Sequence, residues 1–130
     1  MFVFRLDPSS GVPTYLQLVD QVRRATLLGY LREGDRLPTV REVAAALVVN
    51  PNTVAKAYRE LDHAGLASAR GGQGTFVTGS IGEVPTATYA QLSRRLREWL
   101  RAARDAGLAP EQVHALVTAT LDDELRTGAA

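Results

Sequence analysis

Two helix-start signals lie close together in the segment TVREVAAALVVNPNTVAKAYRELDHAG, residues 39–65. In the first signal, Glu42 follows Thr39 at the spacing of a capping box, in which each side chain bonds the backbone N–H of the other residue. In the second signal, Asn50 is a favourable N-cap and Pro51 suits the first helical position, where a proline loses no helical hydrogen bond. The segment therefore predicts one helix that begins after Thr39 and another that begins at Pro51.

The two predicted helices are short and amphipathic. The first ends before Val48-Val49, and its inward residues are Val43, Ala44 and Leu47. The second ends at Ala64, because Gly65 fits the position that follows a helix. Its inward residues are Val54, Ala57, Tyr58 and Leu61. Two short helices separated by a turn of three or four residues are typical of a helix-turn-helix motif.

A glycine-rich hairpin is predicted directly after the second helix. The hydrophobic period changes to two over residues 66–70 and 75–77, on either side of Gly71-Gly72-Gln73-Gly74. Two helices followed by such a hairpin make a winged helix-turn-helix. In that fold the second helix enters the major groove, and the glycine-rich wing lies along the backbone or the minor groove.

The chain before this motif predicts an arm and one more helix. Alternating hydrophobicity over residues 2–6 predicts an extended arm or an edge strand. Helical periodicity then runs over residues 13–28, and Gly29 ends it. Arg36-Leu37 is predicted to be a brief extended pair.

The rest of the chain predicts a linker and a helical hairpin. Residues 79–86 have linker composition, and two amphipathic helices follow within residues 87–130. Their apolar stripes consist of Tyr89, Leu92, Leu96, Trp99, Leu100, Val113, Leu116, Val117 and Leu121. The predicted fold class is α+β and mainly α: a winged helix-turn-helix domain over residues 1–78, followed by a two-helix dimerisation hairpin.

The apolar stripes of the hairpin need a partner. A hairpin of this size seldom buries enough apolar area to offset the entropy lost on ordering it. A second copy of the chain is the simplest partner, so the stripes predict a homodimer, and a small-molecule effector between the protomers stays open. The opposite face carries Arg94, Arg97, Arg101 and Arg104, and such a face is more often solvated than a second DNA or partner surface.

Composition indicates a folded chain without catalytic chemistry. The 130 residues are 45% hydrophobic and 22% charged, as in globular proteins. Cysteine is absent, His63 and His114 stand far apart without a metal-binding motif, and the single lysine, Lys56, follows no phosphate-binding loop. We therefore expect no metal, no cofactor and no enzymatic activity.

Hydropathy and charge give weaker indications. No apolar run approaches the roughly 18 residues of a membrane helix, and the start of the chain lacks a secretory signal, so we expect a cytoplasmic protein. Residues 1–80 carry nine basic and seven acidic side chains (net +2), and residues 81–130 carry six and seven (net −1). This mild asymmetry leans towards an amino-terminal nucleic-acid surface without establishing one.

Several of these segments resemble the DNA-binding domain of GntR-family transcription regulators. The resemblance covers residues 12–77, in the motifs PTYLQ (13–17), GDRLPTVRE (34–42), NPNTV (50–54), GL (65–66) and GQGTFV (72–77). A carboxy-terminal part of only two helices resembles the YtrA-like subgroup, in which it is a dimerisation module. The resemblance implies a homodimer on a near-palindromic operator of double-stranded DNA, commonly acting as a repressor. It also implies that Arg41, the start of the recognition helix and the wing glycine touch DNA.

The predicted DNA-binding set comes from the starts of both helices and from the wing: Thr39, Arg41, Asn50, Asn52, Thr53, Lys56, Arg70, Gly72 and Gln73. Arg41 can contact guanine or clamp a phosphate, although a surface ion pair with Glu42 or Asp35 would also explain it. Asn50 caps a helix in either case, and Gly72 also suits a turn that needs positive φ. Lys56 suits phosphate or base contact, and the two wing side chains suit the minor groove or the sugar-phosphate backbone.

Two residues depart from the family pattern. Val48 stands in the turn where the family usually has glycine, and a β-branched residue is disfavoured at positive φ, so we expect a rebuilt turn. Pro51 stands where many members place arginine, although NPNTV is itself the YtrA-like version of this segment. The operator sequence of the wider family therefore does not carry over.

Two other classes of protein share part of this pattern. A module that only pairs helices with another protein would have the hairpin, but it would not need the caps, recognition helix and wing in this order. A regulator linked to an aminotransferase-like enzyme would need a further fold, for which we expect no room before Ala130.

Overall fold

The computed structural model describes residues 1–79 and 84–128, which form five helices and a three-stranded sheet. In chain order the elements are α1 (Thr14–Leu27), β1 (Arg36–Leu37), α2 (Val40–Leu47), α3 (Pro51–His63), β2 (Ala67–Arg70), β3 (Gly74–Val77), α4 (Thr86–Asp105) and α5 (Pro110–Gly128). The chain divides into two compact units, Met1–Glu83 and Val84–Ala130. The predicted fold class, mainly helical with a winged helix-turn-helix, is confirmed.

Helix α3 lies at the centre of the first unit and packs against both α1 and α2. Val54 and Leu61 of α3 are completely buried, as are Leu18 and Val22 of α1. Full burial of an aliphatic side chain stabilises a fold by roughly 1.5–3 kcal/mol relative to exposure. Packing against α1 and α2 therefore holds α3 in place and leaves its opposite face exposed to solvent.

The small sheet extends the wing to three strands. β3 is the central strand, and it pairs antiparallel with β2 on one side and with β1 on the other. The extended pair predicted at residues 36–37 is thus the third strand, with Leu37 opposite Thr75. Because Leu37 and Val77 are completely buried, the base of the wing is fixed to the core.

The amino-terminal residues form an extended arm rather than an edge strand. Phe4 is buried, and its ring lies edge-on to that of Phe2 with centroids 4.9 Å apart. The backbone of the arm bonds to side chains of α1: Arg5 N–H donates to Gln21 Oε1 at 2.8 Å and Asp7 N–H donates to Gln17 Oε1 at 2.9 Å. Of the two predicted alternatives the arm is therefore correct, because glutamine side chains take the place of a neighbouring strand.

The turn between α2 and α3 keeps the left-handed conformation despite its valine. Val48 has φ 54° and ψ 53°, and it is the single residue other than glycine with positive φ in the described part of the chain. Val49 N–H donates to the Ala44 carbonyl at 3.1 Å and closes the end of α2. The expectation of a rebuilt turn is wrong, because the flanking helices hold the backbone in a conformation that valine disfavours.

The second unit pairs α4 with α5. Residues 80–83 of the predicted linker lie outside the described residues, and α4 begins at Thr86, the last residue assigned to that linker. Ala103 is buried. Among the described helices of both units, none is long and apolar enough to cross a membrane.

We predict that Val48→Gly stabilises the fold. The left-handed backbone costs a non-glycine residue roughly 1–2 kcal/mol, and the extra freedom of glycine in the unfolded chain offsets part of the relief, so a gain of about 1 kcal/mol is expected. No burial is lost, because Val48 is 89% exposed. Thermal unfolding of both proteins measures the change.

The matched control is Val49→Gly. Val49 has no positive φ and packs partly buried against the core, so this substitution should lower the melting temperature. A melting temperature of Val48→Gly equal to or below that of the parent would contradict the prediction of strain at this turn.

Candidate nucleic-acid interface

The start of α3 presents polar side chains on a capped helix end. Asn50 Oδ1 accepts the N–H of Asn52 at 2.8 Å, so the predicted cap is present. The NH₂ group of Asn50 has no partner among the described residues and remains able to donate. Asn52 is exposed and Thr53 is half-buried. The N-terminal end of α3 thus offers side-chain donors and acceptors together with the positive end of the helix dipole.

Arg41 lies exposed near the start of α2, whose capping box forms as predicted. Thr39 N–H donates to Glu42 Oε1 at 3.3 Å, and Glu42 N–H donates to Thr39 Oγ1 at 3.1 Å. Within the described ranges Arg41 forms no ion pair, and Asp35 Oδ2 instead accepts the Arg32 N–H at 2.9 Å. The proposed ion pairs of Arg41 are therefore absent, and its guanidinium faces solvent.

The capping box also sets the charge of Glu42. Hydrogen bonds from the hydroxyl and the N–H of Thr39 hold the pKa of Glu42 below its usual value, and the positive charge of Arg36 lowers it further. Glu42 is therefore ionised at neutral pH and adds a negative charge to the first turn of α2, where the helix dipole favours it.

Lys56 lies one turn after Asn52 on the outer face of α3. Its ammonium nitrogen is 4.0 Å from the centroid of the Tyr15 ring, which comes from the first turn of α1. The sequence predicted an exposed lysine here but not this cation–π contact. Tyr15 lies in the helix predicted over residues 13–28, but nothing in the sequence showed that α1 and α3 bring the two side chains together.

The wing has a similar arrangement next to its tip. The Arg70 guanidinium lies 4.4 Å from the Phe76 ring centroid on the neighbouring strand. Gln73 N–H donates to the Arg70 carbonyl at 3.0 Å, which closes the turn, and Gly72 has φ 73°. The turn requirement foreseen for Gly72 is therefore met. Gln73 is exposed at the tip.

Arg36 is a cation of this surface that the sequence reasoning missed. Its Nε lies 3.0 Å from the point that a Cβ on Gly74 would occupy, so the guanidinium lies against the start of β3 and would have to shift slightly if Gly74 carried a side chain. Gly74 also has φ 119°, a backbone conformation that residues with a side chain rarely adopt. The signal was its place beside buried Leu37 in a two-residue strand, which requires Arg36 to point outward.

Tyr58 joins α3 to the segment before α2. Its hydroxyl donates to the Pro38 carbonyl. Burial raises the pKa of Tyr58 well above the usual value for tyrosine, and the negative charge of Glu42 adds to this, so the hydroxyl stays protonated and remains a donor. The sequence predicted that Tyr58 is inward but not that it bonds the backbone next to Thr39.

The second unit leaves the predicted dimerisation residues partly uncovered. The exposed fractions are 54% for Leu92 and Leu96, 40% for Trp99 and 52% for Leu121. Tyr89, Val113 and Val117 are half-buried, and Leu100 and Leu116 are exposed. Such fractions are high for side chains of this size, so a single copy does not bury the stripes.

An open groove of about 380 Å³ lies between α4 and α5. It is lined by Leu96, Trp99, Leu116, Val117, Thr120, Leu121 and Glu124. No cluster of three metal-ligating side chains occurs in residues 1–79 and 84–128.

The capped recognition helix, the preceding α2 and the glycine-tipped wing define a winged helix-turn-helix protein of the DNA-binding class. Residues 14–77 match the bacterial regulatory proteins of the gntR family. The chain is also 33% identical over 113 residues to the HTH-type transcriptional repressor YtrA of Bacillus subtilis, which covers 86% of this chain and 87% of that protein. The chain therefore belongs to the GntR family of transcription regulators.

Solved structures of related proteins share this fold. YtrA from Sulfolobus acidocaldarius, a GntR-family transcription factor, is 29% identical with a TM-score of 0.55, and the match covers 78% of this chain and 99% of that chain. AraR(DBD) in complex with operator ORX1 is 28% identical with a TM-score of 0.50, and the match covers 59% and 95% of the two chains. The predicted resemblance to GntR regulators of the YtrA-like subgroup is confirmed.

We predict that the capping box makes stability depend on pH. The pKa of Glu42 is lower in the folded chain than in the unfolded chain, so its contribution is complete above about pH 4.5 and is lost as the pH falls through the folded value. The melting temperature of Glu42→Ala should lie furthest below that of the parent at neutral pH, and the gap should shrink in acid.

Glu42→Gln is the control, since glutamine can complete a capping box without ionising. Its difference from Glu42→Ala should not change with pH. A parent-to-alanine gap that stays constant down to pH 3, well below the pH 4.5 at which an unperturbed Glu42 titrates, would contradict the assigned role of the carboxylate.

Proposed function

We propose that this protein is a cytoplasmic, sequence-specific transcription regulator that represses its target genes as a homodimer on a near-palindromic operator. The observation that supports this most directly is the surface formed by the starts of α2 and α3. Arg41 has no ion-pair partner in the described ranges there, and the polar residues that follow Asn50 face outward from a fully packed helix.

Base reading is assigned to the helix starts. An arginine can donate twice to guanine O6 and N7, and an asparagine can bond adenine N6 and N7, so Arg41, Asn52 and the NH₂ group of Asn50 suit base edges in the major groove. Thr53 and Thr39 carry hydroxyl groups that suit either base or phosphate contact.

Backbone attraction is assigned to the cations and the wing. Lys56 and Arg70 are exposed positive charges, and contacts of this type to phosphate hold a protein on DNA without reading its sequence. A Cβ on Gly72 would project into open space, since no atom lies within 4 Å of its position. The glycine leaves that space free, so the tip of the wing can approach the sugar-phosphate backbone closely. Gln73 beside it can donate to phosphate.

Dimerisation is assigned to residues 87–130, with residues 79–86 as the linker from the DNA-binding domain over residues 1–78. The uncovered stripes of α4 and α5 are apolar enough to pack against the same stripes of a second copy. In this proposal Trp99 lies in or next to that interface. Two tethered domains bind paired half-sites far more tightly than one, because the second contact becomes intramolecular. A small-molecule effector is not required for this function and is not assigned.

We predict that Arg41→Ala weakens operator binding by roughly 1–3 kcal/mol and barely changes the melting temperature, since the side chain is exposed and forms no hydrogen bond or ion pair in the described ranges. The operator is first located by footprinting DNA upstream of the gene, and affinities are then measured by titration. Arg24→Ala is the control, because Arg24 is an exposed arginine on α1 outside the predicted surface. Equal affinity of Arg41→Ala and the parent would show that the assignment is wrong.

We predict that Leu96→Asp separates the protomers. Burying an unpaired charge within the apolar stripe of α4 is costly, so the variant protomers should not associate. The variant should therefore sediment as a folded monomer and protect half-sites weakly. The parent should sediment as a dimer and protect two half-sites about 34–36 Å apart, or a multiple of that distance. Arg101→Asp, on the opposite face of α4, is the control and should stay dimeric. A parent that sediments as a monomer would overturn the homodimer.

A further inference from the structure

We propose that Tyr15 is a positioning residue of the DNA-binding surface, whose ring holds the Lys56 ammonium ready for a DNA phosphate. The inference rests on the DNA-binding function proposed above and adds to it a residue outside the helix-turn-helix. The observation that carries it is the stacking of the two side chains across the α1–α3 contact.

The geometry is that of a cation–π pair. The ammonium nitrogen of Lys56 lies 4.0 Å from the ring centroid of Tyr15, well inside the roughly 6 Å at which a ring face attracts a cation. The ring is a fixed platform because Tyr15 is half-buried and packs against the core of the first unit. The ammonium is therefore held at one place above the surface.

A lysine gains more from such a platform than most side chains. Its four-carbon stem is flexible, and ordering it on a phosphate normally costs much of its rotamer freedom at the moment of binding. When the ring already orders the side chain in the folded protein, that loss no longer opposes DNA binding. Tyr15 is thus expected to strengthen a contact that it does not itself make.

The charge of Lys56 remains available for DNA. Lys56 is exposed and forms no ion pair in the part of the chain that the structure describes. A ring face occupies one side of the ammonium group and accepts no full hydrogen bond, so N–H donors on the far side can still meet a phosphate oxygen. An acidic partner at the same place would instead neutralise the charge.

The same device recurs at the wing. Arg70 lies over the ring of Phe76, with 4.4 Å from the guanidinium carbon to the centroid. Both cations assigned to phosphate contact are therefore seated on aromatic rings, one supplied by α1 and one by β3. Stacking of this kind would order the two cations on separate elements before DNA arrives.

The test measures binding of a labelled, mixed-sequence DNA duplex at several salt concentrations for the parent, Tyr15→Leu, Tyr15→Phe, Lys56→Ala and the Tyr15→Leu/Lys56→Ala double variant. Tyr15→Leu should weaken binding by about two- to fivefold, the affinity equivalent of an exposed cation–π contact. Tyr15→Phe keeps the ring face and should bind as the parent does. Lys56→Ala should lower the slope of log affinity against log salt by about 0.9 per phosphate contact.

The double variant distinguishes positioning from a direct role of Tyr15. If the ring acts through Lys56, adding Tyr15→Leu to Lys56→Ala should change neither the affinity nor the salt slope. An equal loss with and without Lys56 would overturn the inference, and so would parental binding by Tyr15→Leu. A parent that binds no duplex would instead overturn the proposed function itself.

Nuclear magnetic resonance of the parent provides a test that needs no folded variant. Protons next to the Lys56 ammonium lie over the Tyr15 ring, so ring current should move their resonances upfield, and the upfield shift should persist when the duplex is added. Unshifted Lys56 resonances would overturn the inference. Thermal unfolding of Tyr15→Leu and Tyr15→Phe checks that both variants are folded before their affinities are compared.

Discussion

The complete burial of one face of α3 determines the rest of the first unit. Val54, Ala57 and Leu61 have no exposed surface, and at helical spacing they require the residues on the opposite side of α3 to face away from the core. Asn52 and Lys56 occupy such outward positions. The polarity of the candidate DNA surface is therefore a consequence of packing, because the core decides how α3 is rotated about its own axis.

The packing of α3 also determines the backbone conformation of the turn before it. A valine with φ 54° is unfavourable in isolation, but moving the turn would disturb the packing of α2 and α3 on either side of it. The capped ends at Thr39 and Asn50 start both helices at defined residues, and the hydroxyl of Tyr58 joins α3 to the carbonyl of Pro38. Local strain at one exposed residue is smaller than the loss of these contacts together.

Local signals in the sequence were enough to predict most of the fold. The capping box, the Asn50-Pro51 pair and Gly65 act over a few neighbouring residues, so α2 and α3 start as predicted and end within a residue of the prediction. Contacts between distant segments could not be predicted in this way. The pairing of β1 with β3, the place of Arg36 over Gly74 and the stacking of Lys56 on Tyr15 depend on how elements meet in space, and no short-range pattern encodes such meetings.

The arm that α1 holds along its side has a consequence for colloidal behaviour. An extended, apolar amino terminus with unpaired N–H and C=O groups is a template on which another chain could add a strand and begin to aggregate. Gln17 and Gln21 occupy those groups at Asp7 and Arg5, both as acceptors and as donors to the two carbonyls, at 3.1 Å and 2.6 Å. Two amide side chains thus occupy backbone groups of the arm that would otherwise be open to pairing with a further strand.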